Sequence, residues 1–452
     1  MAENKARRKP GSGKAGSAKT GSSKTGSTKT GSAAGRVPAR RHVLIAGSGI
    51  AGLSLALALA RACPEQLTVT VCDPALPAPD MPDARADDER AYAIAAAGRR
   101  MFEALGIWGQ VADEAQAMRD MVITDSHLAD PVRPAFLNFD GEIAPGEAFA
   151  HMVPARALLA ALLPACREAG VDLRRVAVRR FSADTVGGTA MLGDGERLPV
   201  SLCVAADGAK SRLREAAGIG WVGWSYPQVG IVATIGHERD HGGRAVEHFL
   251  PSGPFALLPL KPGGRLGHRS SIVWTERRDI ARALLARDHD EVRDEVERRF
   301  GLELGEIALE TPLRAFPLAF GIAREFTATR LALIGDAAHV IHPIAGQGLN
   351  LGLKDVAALA ECIVDATRLG MDPGGADVLA GYSRARRFDT VAMAAVTDGL
   401  NRLFSNDIEP VRMLRDFGLG LVERLPPLKR YFIREASGLS SDGPRLLRGE
   451  RL

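Results

Sequence analysis

The stretch VLIAGSGIAGLSLALALA, Val43 to Ala60, decides how the rest of the chain is read. It runs 18 residues without a charge between Arg41 and Arg61, long enough for a marginal membrane span. Its three glycines argue for something else. Gly47, Gly49 and Gly52 stand at G-x-G-x-x-G spacing, with an apolar strand pattern before them (His42–Ala46) and a helix pattern after (Ile50–Ala62). In that setting Gly47 permits the tight turn, Gly49 lets the backbone approach a pyrophosphate, and Gly52 lets the helix pack on the strand. The helix start then offers free N–H groups and the positive end of its dipole to phosphate. Asp73 follows Gly52 by 21 residues, after a second strand pattern at Leu67–Cys72, where a carboxylate can accept ribose hydroxyls. Together these features point to a dinucleotide, without separating a flavin from a nicotinamide.

Outward from this unit, the bulk numbers set limits. A chain of 452 residues suits two or three packed units. Its net charge of +4 is misleading, because residues 1–41 hold eleven Lys/Arg and one Glu. Removing that local +10 leaves the body at −6, which speaks against specific nucleic-acid binding. The five cysteines (Cys63, Cys72, Cys166, Cys203, Cys362) form no C-x-x-C pair and lie in apolar runs, as expected of buried thiols in a reducing cytoplasm. No histidine cluster has zinc spacing; His339 and His342 lack an evident third ligand, so no metal site is expected. Residues 11–35 repeat GSGKA, GSAKT, GSSKT, GSTKT, GSAAG. So few apolar side chains cannot offset the entropy of ordering, and residues 1–40 read as a disordered basic tail.

The remaining patterns imply an α/β fold: a Rossmann-like dinucleotide-binding domain, an inserted β-rich substrate domain and C-terminal helices. Helices are expected at Ala91–Leu105, Pro154–Ala169, Gly348–Leu369 and Ala380–Phe404, and over roughly 409–438. Strands are expected at Leu173–Val178, Ala190–Leu192, Leu198–Ala205, Gly230–Ile235, Phe255–Leu260, Ser271–Trp274 and Leu331–Ile334. The dinucleotide domain would occupy 41–220 and 321–400, the β-rich domain 221–320 with a contribution near 120–150, and the helical end 401–452.

Two further segments carry cofactor chemistry. Asp207-Gly208-Ala209-Lys210-Ser211-Arg212-Leu213-Arg214 follows an apolar strand; alone it reads as an ordinary helix cap. Gly335-Asp336-Ala337-Ala338-His339 also follows a strand, and His342-Pro343-Ile344-Ala345-Gly346-Gln347-Gly348-Leu349-Asn350 then opens a long helix. A carboxylate at Asp336 can bind sugar hydroxyls, and a helix start at Gly346–Asn350 can stabilise developing negative charge.

The three segments resemble the fingerprints of class A flavoprotein monooxygenases, the group that includes para-hydroxybenzoate hydroxylase. Asp207, Gly208, Ser211 and Arg214 meet D-G-x-x-S-x-x-R; Gly335, Asp336, Ala337 and His339 meet G-D-A-x-H; Gly346, Gly348 and Asn350 meet G-x-G-x-N. A narrower likeness, to the UbiH/UbiF/VisC group of ubiquinone-biosynthesis hydroxylases, rests on HPIAGQGLNLGLKDV (His342–Val356), YPQVGIVA from Tyr226 and FLPSGPFALLPL (Phe249–Leu260). Arg90-Ala-Tyr-Ala-Ile, Val153-Pro-Ala-Arg156 and Tyr382, Arg386 and Asp389 also fit. The likeness spans about Arg41 to Gly438.

The resemblance implies FAD as cofactor, NAD(P)H as reductant and O2 as co-substrate, with one oxygen passing to an electron-rich ring. The substrate class would be a polyprenylated phenol or methoxyphenol, as for a 2-polyprenyl-6-methoxyphenol hydroxylase. It also implies that Pro343 and the Gly346–Gly348 backbone flank the flavin ring, that Gln347 and Leu349 belong to the same turn, and that Arg90 and Arg156 lie near the flavin or its phosphates. Tyr226 is a candidate for orienting a phenol. A lipid substrate would bring a cytoplasmic protein to the inner face of the membrane, and segment 411–434, which mixes apolar and basic residues, is a candidate contact. Membership of a ubiquinone-biosynthesis complex is a further implication. Competing readings are another FAD oxidoreductase such as a prenyl-lipid reductase, a noncatalytic lipid-binding subunit, and tethering through the basic tail.

Overall fold

The computed structural model describes residues 40–77, 90–125, 135–140, 142–144, 146–343, 346–404, 437–439 and 443–452. The basic tail and most of the expected helical segment at 409–438 lie outside these residues. Around the decisive stretch, strand Arg41–Ala46 runs into helix Ile50–Ala62. The strand sits inside a six-stranded sheet whose order is Asp172–Arg174, Leu67–Cys72, Arg41–Ala46, Leu202–Ala205, Leu331–Leu333 and Thr327–Ala328. Every pairing is parallel except the last. Parallel strands need both faces covered. That is why the helix is apolar all round: Leu53, Leu55, Leu57 and Leu59 are fully buried, and it packs against helices Ala155–Glu168 and Gln347–Arg368. Among the described residues no helix is long and apolar enough to cross a membrane.

One expected helix is divided. Ala91–Ala95 is a strand, and the helix starts at Ala96. The strand pairs antiparallel with Ala150–Pro154, and the side-chain carbonyl of Asn350 accepts the Ala95 N–H at 2.9 Å. A long-range clamp therefore overrides local alanine-rich helix propensity. The expected strand Leu173–Val178 is likewise split, into Asp172–Arg174 and Val178–Ala183.

The second sheet has nine strands. Its spine is Trp221–His237, paired on one side with His268–Arg277 and on the other with Arg314–Ala323. Beyond His268–Arg277 come Gly253–Leu260, Arg244–Leu250, Asp120–Asp125 and Ala135–Asp140. Strands from 120–140 thus join the β-rich block. The two faces alternate with period two. Val229, Ile231, Ile235, Phe255, Ile272 and Trp274 pack with helices Arg278–Leu285 and His289–Phe300. Gly230, Val232, Thr234, Ala256, Ser271, Val273 and Thr275 face the other way, into a cavity.

The contact between first helix and first turn is closer than any side chain allows. A Cβ on Gly52 would lie 2.1 Å from the Gly47 carbonyl oxygen. Replacement Gly52→Ala is expected to destabilise the protein by about 2 kcal/mol or more. A denaturant midpoint equal to that of the parent would contradict this packing.

Candidate active site

Gly47 has φ +116°, and a Cβ there would lie 2.2 Å from the Ala206 carbonyl oxygen. Gly49 is the opposite case: its added Cβ would meet nothing within 4 Å. The turn is therefore packed against protein at Gly47 and Gly52 and open at Gly49, where a ligand can approach. No side chain caps the helix that follows, and its first turn holds no acid. Asp73 braces this turn: its Oδ2 accepts from the Ser48 backbone N–H at 2.7 Å and from Ser48 Oγ at 2.9 Å.

The Asp207 segment closes a short helix start. Ser211 Oγ accepts the Arg214 N–H at 3.1 Å, and Asp207 Oδ2 accepts the Arg212 N–H at 3.1 Å. Gly208, at φ +83°, has open space beside it. Arg214 is buried over the Trp221 ring and donates to the carbonyls of Ala209 and Ala337, at 3.1 and 3.0 Å. It links the second segment to the third.

The third segment turns on Asp355. Its Oδ2 accepts the Gly335 N–H at 3.0 Å and meets His339 Nε2 at 2.5 Å; its Oδ1 accepts from Arg386 Nε at 2.8 Å. Burial pushes this carboxyl up, but His339 and Arg386 outweigh it and hold it below its usual value. Arg386 continues the chain to Asp389 at 2.6 Å. Gly335, at φ +58°, turns the chain, and Asp336 after it is exposed. Desolvation by neighbouring atoms raises the Asp336 carboxyl, opposed by His339 and Arg90. Gly346 is left-handed at φ +63°, and no side chain caps helix Gln347–Arg368. Asn350 secures this start, donating to the carbonyls of Ala93 and Gly346 at 2.8 and 3.2 Å.

Beside that start lies a cavity of about 330 Å³, within the range for small-molecule sites. Pro343, Gly346, Gln347 and Asn350 form one wall, Arg90 lies at another, and the second sheet makes the floor. The lining is mainly apolar, with Met118, Met121, Phe149 and Leu258 toward the strands from 118–121. Glu247 also lines it. It is 3% exposed, and desolvation alone pushes its carboxyl up to about 7.

Other expected residues lie elsewhere. Tyr226 is buried outside the cavity lining and donates its hydroxyl to Asp398 at 2.6 Å, so it has no free hydroxyl to orient a phenol. His342 packs edge-on against it, and burial lowers its imidazole to about 4. Arg156 forms a two-pronged ion pair with Glu114 and does not line the cavity. Gly348 and Leu349 are in the first turn of the long helix.

Residues 40–397 match the FAD binding domain family. The chain is 44% identical over 416 residues to ubiquinone hydroxylase UbiL of Rhodospirillum rubrum, covering 90% of this chain and 92% of that one. The chain belongs to the family of FAD-dependent ubiquinone-biosynthesis hydroxylases. A second member, 3-demethoxyubiquinol 3-hydroxylase of Escherichia coli, is 34% identical over 412 residues, with 88% and 98% of the two chains covered. The fold is that of p-nitrophenol 4-monooxygenase from Pseudomonas putida: TM-score 0.70 at 19% identity, with 91% and 99% covered.

The residues present fit the family's flavin. Helix starts after Gly49 and Gly346 without side-chain caps, an open glycine at the first turn and an accessible carboxylate at Asp336 supply what a pyrophosphate, a sugar chain and an anionic ring edge require. Sequence reasoning missed Glu247 and the bracing roles of Asp355 and Arg214. Glu247 had a usable signal: it is the one Asp, Glu, Lys or Arg between Arg244 and Lys261, in a strand otherwise suited to burial.

Two outcomes follow from these geometries. Asp355→Asn removes the carboxylate shared by His339 and Arg386, leaving Arg386 with Asp389 alone, and should lose about 3 kcal/mol of stability, read by denaturant unfolding. Glu247 has a raised folded value, so its unfavourable ionisation is absent below its unfolded value near 4.5 and complete above about 7. Glu247→Gln should therefore stabilise the unliganded protein at pH 8, by an amount on the order of 3 kcal/mol, and have little effect at pH 4.5. Melting curves at the two pH values check the difference.

Proposed function

We propose that this protein is an FAD- and NAD(P)H-dependent monooxygenase that hydroxylates the ring of a polyprenylated phenol or methoxyphenol in ubiquinone biosynthesis. The observation that carries the reading is the apolar cavity bounded by Pro343, Gly346, Gln347 and Asn350 at the uncapped start of the long helix. A ring placed there would lie against the same turn that holds the flavin edge.

In this reading Gly47, Gly49, Gly52, Asp207 and Gly208 hold the dinucleotide, with Asp73 bracing the turn, while Asp336 takes its sugar or ribityl hydroxyls. Gly335 aims Asp336. Gly346, Gln347, Gly348, Leu349 and Asn350 form the turn against the ring edge, and Arg90 supplies positive charge at the cavity wall. The chemistry a bound flavin supplies is reductive activation of O2 for transfer of one oxygen atom. The protein orients the phenol and excludes water through a lining of Met118, Met121, Phe149, Val232, Val273 and Leu258. The inserted block at 221–320, with 120–150, acts as the substrate domain. A lipid substrate implies peripheral contact with the membrane's inner face, where other enzymes of the same biosynthesis are natural partners.

The purified protein should be yellow and release FAD on denaturation. With NADPH or NADH, O2 and a short-chain 2-prenylphenol, it should give a product heavier by one oxygen atom. Reductant and O2 consumption without such a product from any prenylphenol would reject the hydroxylase reading. Asp336→Ala should weaken FAD retention roughly tenfold or more. Copurification of the full FAD complement would remove Asp336 from the site.

A further inference from the structure

The cavity floor is built from cross-strand rows, and one row holds a group that the apolar lining does not explain. Sheet register aligns Glu247 with Ala256, Ala256 with Val273, Val273 with Val232 and Val232 with Arg314. All five line the cavity, so one face of the sheet presents a carboxylate at one end, three apolar side chains in the middle and a guanidinium at the other end. Four strand spacings separate the charges, about 19 Å, too far for an ion pair. On the adjoining strand the register partner is Ile123, next to the cavity residue Met121. The neighbouring His248 faces the opposite side and is held by Thr124. Thr234, Ser271 and Thr275 are the uncharged polar groups on the floor, and Arg90 is the other charged side chain in the lining. Among the described residues Glu247 shows no hydrogen-bond or ionic partner; the residue is 3% exposed, and its carboxylate oxygens are not among the fully sealed unpartnered atoms, so they open onto the cavity.

A buried carboxyl group without a partner is expensive to keep. An apolar residue would fill the position without that penalty. The cavity otherwise selects for an apolar ligand, so the missing partner is a single polar group carried by that ligand.

We propose that Glu247 is a catalytic residue that accepts the hydrogen bond and the proton of the substrate's phenolic hydroxyl. This rests on the hydroxylase reading above. The phenol O–H bond breaks, the proton forms an O–H bond on the Glu247 carboxylate, and the electron pair stays on the phenolate oxygen. That pair raises electron density at the ortho and para ring carbons, which favours attack on an electrophilic oxygen. Once the new ring C–O bond has formed, the ring carbon gives up its hydrogen as a proton that ends in the water formed from the second oxygen atom, and Glu247 returns its own proton to the first oxygen. The residue ends as it began, and the electron balance of the monooxygenase reaction is unchanged. Burial suits the group to this task. A carboxyl near 7 is about 3 units from an ordinary phenol near 10, whereas an unperturbed glutamate would be more than 5 units away.

The test uses the full-length holoenzyme, a short-chain 2-prenylphenol and its O-methyl ether. Flavin content and the melting curve first establish that Glu247→Gln is folded and loaded, with Glu247→Asp as a second variant. In the parent, binding read by flavin absorbance should favour the phenol over the ether, and kcat/KM should rise with pH through a limb near 7. In Glu247→Gln, kcat/KM should fall about 100-fold, the limb should vanish and the preference over the ether should collapse. Glu247→Asp should recover part of the rate and restore the limb. A Gln variant that keeps the parent's rate, pH limb and phenol preference overturns the proposal while leaving the hydroxylase intact. Failure of the parent itself to hydroxylate or bind any prenylphenol overturns the hydroxylase reading, and the assignment of Glu247 with it.

Discussion

A single buried carboxylate, Asp355, holds together the segments on which the site depends. It receives the Gly335 N–H at the end of a sheet strand, His339 in the following turn and Arg386 from the last long helix. Without it, the Gly335 N–H and His339 would each lose a buried partner and Arg386 one of its two carboxylates. With them satisfied, the turn that carries Asp336 is set and helix Gln347–Arg368 starts beside the cavity. The carboxylate touches no part of the cavity lining; its influence is entirely on position.

A second constraint operates on the opposite side of the cofactor site. Gly47 and Gly52 bring backbone against backbone, and Gly49 leaves space. Protein atoms occupy every place where a close approach is structural and vacate the one where a ligand is expected. The helices after Gly49 and Gly346 carry no side-chain caps. Their N–H groups remain directed toward an anion.

The cavity brings a different economy to the second sheet. One face is a conventional apolar core against two helices; the other is a lining, apolar except for a few hydroxyls, Glu247 and Arg314. Strict alternation allows the same strands to serve both purposes. Arg214 then couples the two halves, since its guanidinium reaches the Ala337 carbonyl from the end of the second motif while stacking on Trp221 of the long spine strand.

Much of this was legible in the chain. The glycine spacing around Gly47 and the acid at Asp73 marked the parallel unit, and the strings at Asp207 and Gly335–Asn350 marked the residues proposed to hold the flavin, because tight turns and close approaches admit few residue types. The sequence also marked Glu247 as a lone charge in an apolar strand, but not which way it faced. Only the tertiary structure decided that Ala91–Ala95 is a strand, since the Asn350 clamp is more than 250 residues away in sequence. Only it showed that Tyr226 is occupied by Asp398, that Arg156 belongs to Glu114, and that five strands place Glu247 in a row across one cavity. Local patterns record what a residue can do within a turn or two. Which partner occupies it depends on register and packing between distant segments, which no local pattern encodes.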